Sequence, residues 1–484
     1  MNILNSSDET VFAHAAQADL LRKGLEDCYG FAESVGRLKD ALETLRNIGD
    51  DNMLRRAERM LRQLDNFEPS VTMIGQIKSG KTSLVNALIG APDLLPADVN
   101  PWTSVVTSLH LHPECADFEA SASFRFFDED EWDRLISGGG RIGELASRAG
   151  ADEELEKIKR QVSDMREKSR ARLGKKFEML LGQQRDYGFV DKDLVERYVC
   201  LGEDLGDEEQ DRKDVQGRFA DITKSADLSL QRAALPMRLC LRDTPGVNDT
   251  FMMREQITIR AIRDSRICVV VLSAHQALSS TDMALIRLIS QVKSRDVVIF
   301  VNRVDELSTP ADQVSQIRES ITRTLERHKG PREAEVIFGS ALWAGFALQG
   351  RVDELPSASA RALQNLAART DGKRIGTSLT VPDVWDMSGL PQLQAAIADR
   401  IVNGVGAATL QRIGASARNL ASGLAAADRI ATSEANENAA RSLDGAEASR
   451  KIEEACARQA ADLDAEFTDI IAAFSDRMDR VQES

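Results

Sequence analysis

The run Val71-Thr-Met-Ile-Gly-Gln-Ile-Lys-Ser-Gly-Lys-Thr-Ser-Leu-Val-Asn-Ala-Leu-Ile89 decides the fold of this chain. Its apolar start predicts a strand, its glycine-containing centre a loop, and its end from Leu84 onward a helix. The centre has the Gly-x-x-x-x-Gly-Lys-Thr spacing of a phosphate-binding loop, whose backbone N–H groups turn inward around the phosphates of a nucleoside triphosphate. Lys81 is predicted to reach the β- and γ-phosphates, and the Thr82 hydroxyl to bind Mg²⁺. The predicted nucleotide-binding residues of this loop are Gly75, Gln76, Ile77, Lys78, Ser79, Gly80, Lys81, Thr82 and Ser83.

The bulk composition limits the classes of partner and compartment. A chain of 484 residues can form one large core plus further segments, since a single core stops growing near ~250–300 residues. A formal net charge of -15 argues against nucleic acid as a partner and against bulk attraction to anionic lipids. The amino terminus lacks the features of a signal peptide, and no apolar run approaches the ~20 residues of a membrane-spanning helix. We therefore expect a cytoplasmic protein, with peripheral contact to the inner face of the membrane left open.

Short apolar runs alternate with longer helical patterns through the middle of the chain. The predicted strands are 71–74, 105–111, 238–241, 267–272, 297–301 and 336–338. Strands separated by helices predict an α/β fold with a mostly parallel sheet and helices on both faces. In such a fold ligands bind at the carboxyl ends of the strands.

Helical periodicity also predicts segments outside the sheet. We expect an amino-terminal helical arm over residues 1–67, a sheet domain over 68–402 and a carboxyl-terminal helical segment over 403–484. A charged stretch at about 128–229 is predicted to be a helical insertion into the sheet domain. Because long amphipathic helices need a partner to bury their apolar faces, the arm and the tail are predicted to pack together.

Two further motifs belong to the phosphate side of the predicted site. Asp243-Thr-Pro-Gly246 follows an apolar run and matches D-x-x-G, in which the Asp holds Mg²⁺ through water and the Gly amide contacts the γ-phosphate. Thr103 ends a loop just before a predicted strand and is the candidate switch threonine, which completes the Mg²⁺ shell and orients the attacking water. The start of an ordinary strand explains Thr103 equally well. The predicted Mg²⁺ ligands are therefore Thr82, Thr103 and Asp243.

The base side of the predicted site follows the run 297–301. Asn302-Arg303-Val304-Asp305 stands where guanine-binding proteins carry N-K-x-D, and Asp305 would accept hydrogen bonds from the guanine N1–H and N2 amine. Arg303 replaces the usual Lys and can stack over the base. Ser340 and Ala341 follow the last predicted strand and fit the loop whose backbone N–H contacts guanine O6. Four motifs in this order favour GTP over ATP.

With these motifs in place, the chain resembles the dynamin superfamily of large GTPases, and most of all its bacterial dynamin-like branch. The resemblance rests on the phosphate loop, Leu95-Pro-Ala-Asp-Val-Asn-Pro-Trp-Thr103, Asp243-Thr-Pro-Gly-Val-Asn-Asp-Thr250 and Asn302-Arg-Val-Asp305. It implies hydrolysis of GTP with Mg²⁺, a helical neck, and GTP-driven dimerisation across the nucleotide site. The partners implied are GTP and GDP, a second copy or a related dynamin-like subunit, and a membrane surface.

Three departures from the family pattern affect the function expected. Eukaryotic dynamins carry Gln-Ser where this chain has Ile77 and Lys78, and that serine helps to hold a monovalent cation. One hypothesis makes Lys78 a catalytic cation in its place, beside Lys81 and Thr103, whereas the other leaves it pointing to solvent. The stretch between Thr103 and Asp243 is unusually long. The tail is too short for a full stalk and lipid-binding tip, which puts membrane remodelling in doubt.

Three classes of function are compatible with the sequence. The chain is a dynamin-like GTPase whose hydrolysis cycle moves a helical neck, a regulatory GTPase that recruits protein partners, or a nucleotide-binding scaffold with negligible turnover. Stimulation by lipid favours the first class, and stimulation by a protein partner alone favours the second.

Overall fold

The computed structural model describes most of the chain. The described residues are 16–48, 50–97, 105–114, 120–138, 152–200, 219–246, 265–276, 278–279, 282–283, 286, 296–328, 330–331, 334–370, 379–439 and 446–482. They belong to two compact units, which are called unit 1 (Met1–Glu26 and Pro69–Ala398) and unit 2 (Asp27–Glu68 and Asp399–Ser484). Among these residues, no helix is both long enough and apolar enough to cross a membrane.

Unit 1 is built on a nine-stranded sheet with the order β4-β3-β5-β2-β6-β1-β7-β8-β9. The strands are β1 (Ser70–Ile74), β2 (Val106–His112), β3 (Ala122–Phe126), β4 (Gln184–Tyr187), β5 (Thr223–Gln231), β6 (Leu239–Asp243), β7 (Ile267–Ser273), β8 (Asp296–Asn302) and β9 (Glu335–Phe338). The pairs β1–β6, β1–β7, β7–β8, β8–β9 and β2–β5 are parallel, whereas β2–β6, β3–β4 and β3–β5 are antiparallel. The predicted α/β fold with a mostly parallel sheet is confirmed, and all the strands predicted from apolar runs are present.

The central strands are buried along almost their whole length. Ile267–Ser273 is apolar at successive positions, and its residues from Ile267 to Leu272 are all buried. A continuous run of β-branched and aliphatic residues is typical of a strand that is covered on both faces. This packing places the ends of β1, β6, β7 and β8 at one rigid edge of the sheet, and the predicted site residues follow these ends.

Helices accompany the sheet in unit 1 and make up most of the described part of unit 2. They are α1 (Glu26–Ile48), α2 (Asp51–Asp65), α3 (Lys81–Leu88), α4 (Glu129–Gly138), α5 (Asp152–Leu173), α6 (Lys176–Leu180), α7 (Lys192–Val199), α8 (Pro310–Arg327), α9 (Ala341–Leu348), α10 (Ser357–Thr370), α11 (Val381–Met387), α12 (Leu390–Asp399), α13 (Ala407–Ala439) and α14 (Ala446–Gln482).

The stretch predicted to be a helical insertion, 128–229, contains strands as well as helices. It contributes β4 and β5, and β5 pairs with β2 over seven residues from Val106↔Ser225 to His112↔Gln231. Ala226 and Leu228 on β5 are fully buried, while the intervening residues are only half-buried. β5 therefore does alternate apolar and polar residues, as a half-buried strand does, but the high polar content of the stretch made this alternation hard to recognise. This stretch is consequently a structural part of the sheet.

The amino-terminal boundary also differs from the predicted one. Residues 16–26 group with unit 1 instead of with a helical arm. The Gln17 side chain donates to the Gly90 carbonyl at 2.9 Å, and the Gln394 side chain donates to the Leu21 carbonyl at 3.1 Å. These bonds, together with the burial of Leu21 and Leu25, fix this segment to unit 1.

Unit 2 combines helices from both ends of the chain. Leu38, Leu42 and Leu45 of α1 are almost completely buried within it. Arg477 of α14 donates to Asp27 of α1 at 2.6 Å. The apolar faces of the arm and of the tail are thus covered within one helical unit, which fits the need of amphipathic helices for partners.

Candidate functional site

The phosphate loop runs from the end of β1 to the start of α3 and is held in a narrow space. Gly80 has φ +85°, and a Cβ built on it would lie 2.2 Å from Asn302 Nδ2. A Cβ on Gly75 would lie 2.3 Å from the Val271 carbonyl oxygen. Only glycine fits both positions, because a side chain would clash with β7 at one and with the base loop at the other. Ser83 continues the loop into the first turn of α3, whose N-terminus gives backbone N–H groups and a positive dipole end for an anion.

Lys81 lies inside this loop with its side chain almost entirely buried. Its Nζ donates to the carbonyl oxygen of Gly75 at 3.1 Å and to that of Gln76 at 2.9 Å. The residue is only 6% exposed. Carbonyl oxygens of the loop therefore orient the ammonium group, as a lysine that contacts phosphates requires.

Asp243 at the end of β6 meets the Thr82 side chain. Thr82 Oγ1 donates to Asp243 Oδ2 at 2.8 Å. Burial raises the pKa of the Asp243 carboxyl, while Lys81 and the Thr82 hydrogen bond act to lower it. Asp243 Oδ1 is buried and has no hydrogen-bond partner among the described residues. A buried carboxylate with one unsatisfied oxygen beside a threonine hydroxyl fits a hard divalent cation such as Mg²⁺.

Gly246 brings the D-x-x-G segment against the phosphate loop. A Cβ on Gly246 would lie 2.8 Å from the backbone nitrogen of Ile77. The Thr244 side chain also fixes this segment, because its Oγ1 donates to the Met73 carbonyl of β1 at 2.7 Å. The prediction that Asp243 and Gly246 lie at the phosphate loop therefore agrees with the geometry. Thr103, the candidate switch residue and Mg²⁺ ligand, lies outside the described residues.

Asn302 joins the phosphate loop to the base loop. Its Nδ2 donates to the Ser79 carbonyl at 3.0 Å, and its Oδ1 accepts the backbone N–H of Ala341 at 3.0 Å. Asn302 is 3% exposed, so these bonds form away from water. The side chain therefore fixes the distance between the loop that would hold phosphates and the loop that would hold a base.

Asp305 and Ser340 form a buried pair on the base side. Ser340 Oγ donates to Asp305 Oδ1 at 2.5 Å, and the same Oγ accepts the N–H of Trp343 as the N-cap of α9. Burial raises the pKa of the Asp305 carboxyl, and the Ser340 hydrogen bond acts in the opposite direction. Fixing one carboxylate oxygen in this way orients the group for recognition of a planar ligand.

The two basic residues at the site differ in their surroundings. Arg303 has φ +68°, and its Nη1 donates to Glu306 Oε1 at 2.9 Å. Glu306 Oε2 also lies 2.9 Å from His275 Nε2, which comes from the segment after β7. Lys78 has φ +63° and is exposed. A left-handed backbone is unfavourable for a residue with a side chain, so the fold holds Lys78 in this conformation at the surface of the loop.

Sequence reasoning missed two residues that contact the phosphate loop. The Gln76 side chain donates to Ser279 Oγ at 2.6 Å and to Asp282 Oδ2 at 2.7 Å. Ser279 and Asp282 form a capping box, in which each side chain accepts the backbone N–H of the other residue. The pattern Ser-x-x-Asp after β7 predicts a helix start from sequence, but nothing local relates it to Gln76.

These observations define a class of protein. A phosphate loop, a D-x-x-G segment and a base loop are joined at one edge of a mixed sheet, which is the GTPase version of the P-loop fold. Residues 71–305 match the family model of the Dynamin family. Through this region the chain is similar to the dynamin superfamily, whose members are GTPases.

Individual relatives are similar over different parts of the chain. Dynamin-like protein 1 of Campylobacter jejuni subsp. jejuni serotype O:23/36 (strain 81-176) is 22% identical over 262 residues, which are 54% of this chain and 30% of that protein. Two solved chains cover 94% of this chain each, with TM-scores of 0.53 and 0.54 at 16% and 18% identity. They come from an oligomerised bacterial dynamin pair, described as a mechanism for long-range sensing and tethering of membranes. This chain covers 66% and 65% of their lengths, and at this identity the likeness shows the fold.

Proposed function

We propose that unit 1 binds GTP with Mg²⁺ and hydrolyses it to GDP and phosphate. The observation that carries this proposal is the bridge made by Asn302, which joins the phosphate loop at Ser79 to the base loop at Ala341. A purine nucleotide needs its phosphates and its base bound at a fixed separation, and a buried amide with bonds to both loops supplies that separation.

Asp305 is the proposed reader of guanine. Its carboxylate would accept the N1–H and the N2 amine of guanine, a pair of donors that adenine does not present. Ser340 holds one of the carboxylate oxygens in place. The loop of Ser340 and Ala341, which the Ala341 N–H fastens to Asn302 Oδ1, is proposed to lie beside guanine O6, and the stem of Arg303 is proposed to stack over the base.

Lys81, Thr82 and Asp243 are the proposed catalytic and metal-binding groups on the phosphate side. The Lys81 ammonium, oriented by its carbonyl acceptors, would contact the β- and γ-phosphates, where negative charge accumulates during transfer. Thr82 and Asp243 would hold Mg²⁺, which neutralises the phosphate charge. Thr103 is the proposed third ligand, and its carbonyl would orient the attacking water.

Lys78 is proposed to supply the positive charge that other dynamins obtain from a monovalent cation. Lys78 belongs to the loop that would surround the phosphates, its backbone is left-handed and its side chain is exposed. Hydrolysis by the wild-type protein should then be independent of K⁺, and Lys78→Ser should become K⁺-dependent. A wild-type rate that requires K⁺, or an unchanged rate in Lys78→Ser, contradicts this role.

Coupling to a helical unit is the second part of the proposal. GTP would drive association of two nucleotide sites, from two copies or from this chain and a related subunit, and hydrolysis would release them with movement of the helices of unit 2. The relatives from a bacterial dynamin pair that tethers membranes support membrane contact at the inner face. The alternative is a regulatory switch or scaffold that acts through protein partners in the cytoplasm without membrane work.

The test is steady-state GTP hydrolysis against protein concentration, with and without liposomes, and with Lys81→Ala as the inactive control. Turnover per molecule that rises steeply with concentration and again with lipid supports a dynamin-like machine. Slow turnover that is independent of concentration and lipid supports the switch. If wild type and Lys81→Ala release phosphate equally, the proposed hydrolysis is wrong.

A further inference from the structure

The Gln76 side chain connects the phosphate loop to the helix start at Ser279 and Asp282, which lies outside the phosphate-binding motifs. Its Nε2 donates to Asp282 Oδ2 at 2.7 Å and to Ser279 Oγ at 2.6 Å. Asp282 is only 2% exposed. A hydrogen bond from an amide to a buried carboxylate is charge-assisted and is little weakened by water, so its geometry is well fixed.

The capping box that receives Gln76 does not depend on it. Asp282 Oδ2 accepts the backbone N–H of Ser279 at 3.0 Å and its hydroxyl at 2.9 Å. The backbone N–H of Asp282 is in turn satisfied by Ser279 Oγ at 3.2 Å. The helix start is therefore stabilised from within its own segment, and Gln76 gains a fixed anchor there.

The backbone of the same glutamine orients the key lysine. The Gln76 carbonyl accepts Lys81 Nζ at 2.9 Å, which is shorter than the 3.1 Å bond to Gly75. A side-chain tether on the residue that carries this carbonyl limits rotation of the peptide group. Small displacements of a group that contacts the transferred phosphate lower the rate steeply, by up to about 10²-fold for about 1 Å.

We propose that Gln76 is a positioning residue, which uses its bond to Asp282 to fix the carbonyl that orients the Lys81 ammonium. The inference rests on the proposed GTP hydrolysis. It adds Asp282, which lies outside the phosphate-loop motif and would affect the reaction through its bond to Gln76. The loss expected when the tether is removed lies mainly in kcat, because the contacts of Lys81 with the γ-phosphate strengthen as charge develops in the transition state.

The experiment is a double-mutant cycle on the full chain with Gln76→Leu, Asp282→Asn and the combination of both. Gln76→Leu removes the donor at similar size and should lower kcat about tenfold, with KM for GTP changed less than about threefold and the thermal midpoint unchanged. In the Asp282→Asn background, Gln76→Leu should lower kcat less than about threefold, because the charged anchor is already lost. Gln392→Leu, on the exposed side of α12, is the matched control and should behave as wild type.

A second variant at the same position tests whether a loss of kcat comes from the lost bond to Asp282 or from a phosphate loop that fails to fold. Gln76→Glu keeps the length of the side chain but places a carboxylate against Asp282, so it should lower kcat further than Gln76→Leu. A wild-type kcat in Gln76→Leu, or additive losses in the cycle, overturns the positioning role while leaving the proposed function intact. If wild type binds GTP without turnover, the proposed hydrolysis fails, and the positioning role that rests on it fails with it.

Discussion

Replacing Asp243 by asparagine should make the nucleotide-free protein more stable. The Asp243 side chain is fully buried, and among the described residues its Oδ1 has no hydrogen-bond partner, while Oδ2 accepts the Thr82 hydroxyl. Burying a polar group without full compensation costs about 1–3 kcal/mol in mutational data. Asparagine keeps an acceptor for Thr82 and removes the charge, but it forfeits the attraction of Lys81, so a net gain of about 1 kcal/mol is expected. In a unit of this size that gain raises the thermal midpoint by about 2 °C.

Two measurements identify the carboxylate charge as the cause. Because burial raises the pKa of Asp243, the folded wild type binds a proton more readily than the unfolded chain, and its stability falls as pH rises through the folded pKa. The stability of Asp243→Asn should thus exceed that of wild type most at neutral pH, and the difference should become smaller as pH falls through the raised pKa of Asp243. With Mg²⁺ and GTP at about 100 times the dissociation constant, wild type should gain about 2.7 kcal/mol and the variant much less, so that the order reverses. Thermal unfolding with a chelator, at several pH values, tests this, and a variant that is less stable than wild type at neutral pH refutes the reasoning.

Three more predictions follow from the geometry of the site and of the core. Gly80→Ala should abolish nucleotide binding, because its Cβ would clash with Asn302. The control is Gly350→Ala: Gly350 has φ +65° but no atom within 4 Å of an added Cβ, so the variant should lose only about 1 kcal/mol of stability to backbone strain. Isothermal titration measures nucleotide binding and thermal unfolding measures stability, and equal nucleotide affinity in the two variants contradicts the clash. Asp305→Asn should weaken GTP about 10²-fold and favour xanthosine triphosphate, because the new amide donates where the carboxylate accepted; unchanged GTP affinity in competition assays rejects the base assignment. Burial raises the pKa of the Cys200 thiol to about 12, so mass spectrometry should find this residue unlabelled by maleimide at pH 8 in the native protein and labelled in urea; rapid native labelling counts against the packing.

Local sequence was sufficient for the phosphate loop and for the apolar strands. The Gly-Lys-Thr spacing specifies a loop through bonds among neighbouring residues, and β7 is apolar along its whole buried length. The Asn302 and Asp305 positions could also be predicted, because parallel strands present their carboxyl ends at one edge.

Contacts between residues far apart in the chain could not be predicted from local sequence. β5 carries polar residues on its half-exposed face, and nothing in its sequence specifies pairing with β2, more than a hundred residues earlier in the chain. The tether from Gln76 to Asp282 likewise spans 206 positions of sequence. Such contacts depend on the three-dimensional arrangement of the strands, which local propensity does not encode.

The position of β1 in the sheet bears on how the chain is made. Ser70 of β1 lies opposite Cys240 of β6, and Val71 lies opposite Ile267 of β7. At about 5–20 residues per second, a ribosome needs roughly 10–30 s after making β1 to produce the first of these neighbours. Until then β1 has no neighbouring strand to pair with, and the phosphate loop at its end is not held in place by β7 and Asn302. The nascent chain therefore presents a segment that chaperones recognise, and its candidate nucleotide site is complete only once Ala341 has been made, after about 70% of its 484 residues.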